Sequence, residues 1–231
     1  MNRKAMKTVF LDTVPVMTGY LFLGAGFGIL LSEKTGYGIG WSVGMALFML
    51  AGSGQYLAVS LIAEHASIIS AAIATFLINA RHIFYGISLI EPYKSAGKKK
   101  PYLIFALTDE TYSLVTQNEP PEGMRRHSYC FWVSLLDHVY WLIGCALGSI
   151  LGSTLPISFE GVDFVLTALF VTMFVEQWIS HKNHLPAIIG VGATALCLVL
   201  FGRDVFLIPS MALIAVLLTI SRKTGRRVEN V

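Results

Sequence analysis

Long apolar runs separated by short polar or basic stretches dominate the chain; they can be read at residues 9–31, 41–63, 67–90, 128–152, 162–180, 185–201 and 204–220. Most approach or exceed the roughly 20 residues that a helix needs to cross a bilayer. An eighth, shorter run at 102–117 carries two acids in its middle. The pattern predicts an all-α fold, a polytopic integral membrane bundle of about six to eight membrane segments, some of them broken or re-entrant. The stretches between runs are too short for a second, soluble domain, so residues 1–231 are expected to form a single membrane domain.

Two runs are interrupted. "AGSGQY", Ala51 to Tyr56, places two glycines, a serine and a glutamine at the midpoint of 41–63, dividing it into halves of about eleven residues. Each half spans only roughly 16 Å as helix. Basic loops give an independent reason to expect a segment that enters and leaves on one side. If the flanks rich in Lys and Arg stay cytoplasmic, the N-terminus (Arg3, Lys4, Lys7) and the "YKSAGKKK" loop (Tyr93 to Lys100) are both inside, yet three runs lie between them. The broken run 41–63 resolves the parity, and 102–117, lying between Lys98–Lys100 and Arg125–Arg126, is expected to dip in and return likewise. Both termini are then cytoplasmic. The alternative is that all eight runs cross and the lysine loop lies outside.

Composition agrees with a membrane chain: 55% of residues are hydrophobic and 13% charged, against roughly a quarter charged in soluble domains. The net charge of +3 does not point to nucleic acid, because the basic residues cluster at helix ends, where lipid headgroups lie. The first run has a positive start like a signal peptide, but it continues into Gly-rich apolar sequence without a clear cleavage site and is read as a retained helix. Cys130, Cys145 and Cys197 fall in apolar runs without CxxC spacing, so neither a disulfide framework nor a zinc site is expected. Glycines repeat every four residues at Gly24/Gly28, Gly36/Gly40/Gly44 and Gly144/Gly148/Gly152. Such faces let helices approach closely.

Chemistry concentrates in "TFLINARHIFYGISL", Thr75 to Leu89. Arg81 lies roughly 13 Å from its run's end, and unpaired it would cost at least about 2.5 kcal/mol. On a helix Asn79, His82 and Gly86 share one face, while Arg81, Tyr85 and Ser88 share another. Candidate anions for Arg81 are Asp109, Glu110, Asp137, Asp163 and Glu176, with Asp109 or Glu110 preferred because that short acidic segment must dock on protein. The pair either serves transport or only fixes packing. His82 and His138 could relay protons or act as hydrogen-bonded packing residues, and Asp163 begins its run, where an acid also suits a helix N-terminus. No P-loop, HExxH or GxSxG occurs. Movement of a small solute remains, with no cofactor and no enzymatic role expected.

At these residues the sequence resembles the AzlC-type large subunit of branched-chain amino acid exporters. The matching elements are Pro15 with the glycine-rich helix after it, "AGSGQY", "NARHIFYG", "LTDE" at Leu107 to Glu110, and Asp163–Phe164 and Ala168–Phe170. Ser53 and Gly54 stand where the family more often has Ala then Ser. The resemblance implies ion-driven secondary export of valine, leucine, isoleucine and sometimes methionine across the cell membrane, together with a small AzlD-type membrane subunit. In the expected site, Gly52, Ser53, Gly54, Gln55, Asn79 and Arg81 bind substrate, with Gln55 and backbone carbonyls on its ammonium. His82, Asp109, Glu110 and Asp163 handle the coupling proton. The rivals are a channel and a scaffold subunit that transports nothing itself.

Overall fold

The computed structural model describes residues 3–79, 81–154, 183–202 and 206–228, with scattered positions between 164 and 179. Its elements among the described residues are all helical: α1 (Arg3–Thr35), α2 (Ile39–Phe48), α3 (Gly52–Ala63), α4 (Ile68–Asn79), α5 (Arg81–Ser88), α6 (Ile90–Tyr93), a 3-10 turn (Gly97–Lys99), α7 (Lys100–Phe105), α8 (Asp109–Gln117), α9 (Arg126–Thr154), α10 (Leu185–Phe201) and α11 (Leu207–Val228). Contacts divide the chain into two compact units, Met1–Leu166 and Thr167–Val231.

In the first unit α1 and α9, of 33 and 29 residues, are both long and apolar enough to cross a membrane. They lie in backbone contact. A Cβ on Gly144 would sit 2.6 Å from the Tyr20 carbonyl oxygen, and one on Gly24 2.9 Å from the Cys145 nitrogen. At Gly28 and Gly148 it would run into Cys145 and Ser149 backbone and into Ala25 backbone respectively. The expected small faces at 24/28 and 144/148/152 are therefore one seam. The third face is not: Gly40 and Gly44 have open space beside them, and Gly36 instead ends α1 in the left-handed region at φ +70°.

Around the seam pack Tyr20, Phe27, Leu31, Tyr56, Val59 and Trp141, all buried. Buried hydroxyls cross it as well. Thr13 Oγ1 and Tyr140 Oη lie 3.1 Å apart. Tyr140→Phe removes one buried hydrogen bond, worth about 1 kcal/mol, and is expected to lower the melting temperature by roughly 2–4 °C, measured by thermal unfolding of purified protein.

The run 41–63 is broken, as the sequence predicts, but the break falls slightly earlier than the glycines. The α2 helix ends at Phe48; Leu50 takes φ +37°, rare for a branched side chain, and Gly52–Gln55 form the first turn of α3. The segment 102–117 is broken too. Its α7 ends at Phe105, and Thr108 caps α8, its hydroxyl accepting from Thr111 N at 3.2 Å. The run 67–90, expected as one helix, is helical on either side of residue 80, which lies outside the described residues.

Much of the apolar surface is uncovered: Ile68, Phe48 and Phe22 are 88, 79 and 72% exposed. An exterior this apolar suits lipid rather than water. In the second unit α10 and α11 pack against each other, α10 stopping at Gly202 with φ +74°.

Candidate functional site

The first turn of α3 is where a helix presents amides that have no carbonyl four residues back. Gly52 brings that turn against Trp141, whose Cη2 would lie 3.2 Å from a Cβ on Gly52. Ser53 and Gln55 are buried, Gln55 completely. Trp141 Nε1 donates to Gln55 Oε1 at 2.6 Å. An indole N–H can only donate, so this bond fixes the amide with its oxygen toward Trp141 and its NH₂ away. Gln55 Nε2 has no hydrogen-bond partner among the described residues. Gln55 was expected to accept from a substrate ammonium; its oxygen already takes one bond from Trp141, while its NH₂ donors have no partner among the described residues.

Asn79, at the end of α4, joins this turn. Its Nδ2 would lie 3.5 Å from a Cβ on Gly54, and it donates to the Thr75 carbonyl at 2.9 Å. Gly52, Ser53, Gly54, Gln55 and Asn79 thus form one cluster at a helix break, walled by Trp141. His82 Nδ1 donates to the Asn79 carbonyl at 3.1 Å, which ties the start of α5 to the end of α4. The α5 helix in turn meets α8 through Tyr85 and Tyr112, stacked at 4.5 Å. Helices bearing Arg81 and the acidic pair are therefore neighbours. The Arg81 side chain and all of Asp163 and Glu176 lie outside the described residues.

Asp109 and Glu110 occupy the first turn of α8, favourable for acids at a helix N-terminus. Glu110 Oε2 accepts from Tyr20 Oη at 2.8 Å, and Tyr20 Oη also lies 2.6 Å from Thr108 Oγ1. One turn on, Thr111 Oγ1 donates to Asp137 Oδ2 at 2.7 Å. Tyr20 closes the distance between the two polar regions, its ring meeting that of Trp141 edge-on at 5.3 Å. His138 bonds Tyr102 Oη at 3.1 Å. Among the described residues no three His, Cys, Asp or Glu side chains are arranged to hold a metal.

Sequence reasoning did not assign functional roles to Tyr20, Trp141, Thr108 and Thr111. Nothing in the local sequence around Tyr20 or Trp141 sets them apart from other aromatics in apolar runs, and the one available signal for the hydroxyls is the pair of threonines flanking the acids in "LTDETY".

A broken helix with an unpartnered buried Gln55 NH₂ at its start, polar groups gathered in an apolar interior and an apolar exterior suit a helical membrane transport protein rather than an enzyme. Comparison with known proteins agrees. The family profile described as AzlC protein matches residues 15–155. The chain belongs to the AzlC family. It is 38% identical to the branched-chain amino acid transport protein AzlC of Bacillus subtilis (strain 168), over 97% of this chain and 88% of that protein. It is 37% identical to an uncharacterized membrane protein of Helicobacter pylori (strain J99 / ATCC 700824), over 95% of this chain and 96% of the relative. Similarity to the inner membrane protein YgaZ of Escherichia coli (strain K12) is 24%, over 80 and 78% of the two chains. No solved structure matches the chain.

Proposed function

We propose that this protein is a secondary exporter of branched-chain and related aliphatic amino acids, valine, leucine, isoleucine and methionine, driven by protons. It works in the cell membrane with a small AzlD-type membrane subunit, as one transporter domain of six to eight segments with both termini cytoplasmic. The observation that carries the reading is Gln55: a completely buried amide at the start of a half-helix, with its oxygen committed to Trp141 and its NH₂ unpartnered. Buried donors left unpaired cost free energy, and an entering carboxylate would satisfy them.

In this reading the substrate carboxylate meets Gln55 Nε2, the first-turn amides of α3 (Gly52, Ser53, Gly54) and Arg81, as half-helix N-termini receive anions in other transporters. Asn79 and the carbonyls at the α2–α3 break take the ammonium. Aliphatic side chains differing by one methylene differ by only about 1–3 kcal/mol in such a pocket, so several are carried. His82, Asp109, Glu110 and Asp163 handle the coupling proton.

The test is efflux of labelled valine, leucine and methionine from preloaded cells expressing the chain with and without its small subunit. Saturable efflux that stops when the proton gradient is collapsed is expected. Efflux that never saturates indicates a channel, and no efflux of any of the three removes the substrate assignment.

A further inference from the structure

Five oxygens run through the first unit in a line: Glu110 Oε2, Tyr20 Oη, Thr108 Oγ1, Thr111 Oγ1 and Asp137 Oδ2. Successive separations are 2.8, 2.6, 3.0 and 2.7 Å. Every one is a hydrogen-bond distance, and each hydrogen bond needs one proton between its two oxygens. Three hydroxyls supply three protons, and an ionised carboxylate supplies none. Four links therefore lack one proton.

Burial makes the deficit matter. Tyr20, Thr108, Thr111 and Asp137 are all buried, Asp137 to 1% exposure, and Glu110 is half-buried. Asp137 Oδ1 has no hydrogen-bond partner among the described residues, so Thr111 is the only hydroxyl recorded as donating to this carboxyl. Two carboxylates ionised together in a low-dielectric interior repel one another, and an unfilled link leaves two oxygen lone pairs facing each other. A single added proton removes both penalties.

We propose that Glu110 and Asp137 share one proton through Tyr20, Thr108 and Thr111, and that this wire is the path of the coupling proton; the transport half of the proposal rests on the amino acid export reading. With the proton on Glu110, its hydroxyl donates to Tyr20, Tyr20 to Thr108, Thr108 to Thr111, and Thr111 to ionised Asp137. When the proton leaves for Asp137 every donor reverses: Asp137 donates to Thr111, Thr111 to Thr108, Thr108 to Tyr20, and Tyr20 to ionised Glu110. Each state has four protons in four links, and four proton hops, one across each link, interconvert them without turning any hydroxyl. No oxygen moves. Intramembrane Asp, Glu and His relays carry protons in pumps and transporters, and here hydroxyls fill the gap between two such acids.

Other titratable groups face the wire from the elements packed on it. Asp109 precedes Glu110 in the same turn, and Tyr102 on α7 is paired with His138, next to Asp137 on α9. None of them bridges any of the four links. The half-buried end, Glu110, is the point of entry, and Tyr20 is the member whose ring touches Trp141 and hence the partner of Gln55.

The experiment uses infrared spectroscopy of the purified full-length chain in lipid, without substrate. The wild type is expected to show a protonated-carboxyl band that both Asp137→Asn and Glu110→Gln remove, since either amide supplies the missing hydrogen and leaves the remaining acid ionised. A band that survives Glu110→Gln means Asp137 holds a proton of its own and overturns the sharing; absence of any such band in the wild type also overturns it. In vesicles with an imposed pH gradient, Thr111→Val is expected to slow driven valine flux about a hundredfold, with Thr111→Ser, which restores the hydroxyl, close to wild type. Equal flux in Thr111→Val and wild type overturns the transport role. If the band behaves as stated but wild type moves no valine, the proton wire stands and the amino acid assignment falls.

Discussion

Gly148→Leu is expected to leave almost no folded protein in the membrane. A Cβ at this position collides with the Ala25 carbonyl oxygen and Cα, which are backbone atoms of α1 and cannot rotate away as a side-chain tip could. The neighbouring contacts allow no escape, because Gly144 and Gly28 hold the same two helices at backbone distance from Tyr20 and Cys145. Relief requires separating α1 from α9 along their length, which uncovers Tyr20, Phe27, Leu31 and Trp141. Overpacking of ordinary cores costs about 1–3 kcal/mol; against immovable backbone the loss is expected to exceed about 4 kcal/mol. Membrane abundance and thermal unfolding report it. Gly40→Leu is the control, since nothing lies within 4 Å of that position. Wild-type stability of Gly148→Leu would show that the two helices do not cross here.

Gln55→Glu is expected to fold normally and lose transport about a hundredfold, roughly 3 kcal/mol at the upper end for a hydrogen bond to a charged group. The substitution keeps an oxygen to accept from Trp141 Nε1, so the 2.6 Å bond survives. It replaces the spare NH₂ with a second acceptor. A substrate carboxylate then meets lone pairs instead of donors, and at neutral pH it meets negative charge. The opposite orientation of substrate makes the opposite prediction, because a carboxylate beside an ammonium would strengthen binding. Flux measured at equal membrane abundance separates the two, and faster or tighter uptake in Gln55→Glu would place the ammonium at Gln55.

What was legible in the sequence was local. Two glycines and a glutamine inside an apolar run announced the interruption between α2 and α3, and small residues at every fourth position announced a face that packs. Periodicity names a face without naming its partner, however. Gly36/Gly40/Gly44 repeats as regularly as Gly144/Gly148/Gly152, yet only the second lies against another helix. The bond between Trp141 and Gln55 joins positions 86 residues apart, and that between Tyr20 and Glu110 joins positions 90 apart. Pairings of that separation leave no mark on either neighbourhood. Hence "LTDE" was readable as chemistry, whereas the hydroxyls that connect it to Asp137 were not.

The glycine seam also limits how the protein can move. Helices separated by a cushion of side chains can shear in small steps as rotamers adjust, but α1 and α9 touch through Cα atoms and carbonyls. A slide of a fraction of a turn would drive the carbonyls of Tyr20 and Ala25 out of the notches left by Gly144 and Gly148 and into the ridges beside them. The next matching register is a whole helical turn away, roughly 5.4 Å. These two helices are therefore locked into a single stator, and whatever opens one side of the membrane and closes the other has to swing against them at the breaks, where α2 meets α3 and α7 meets α8.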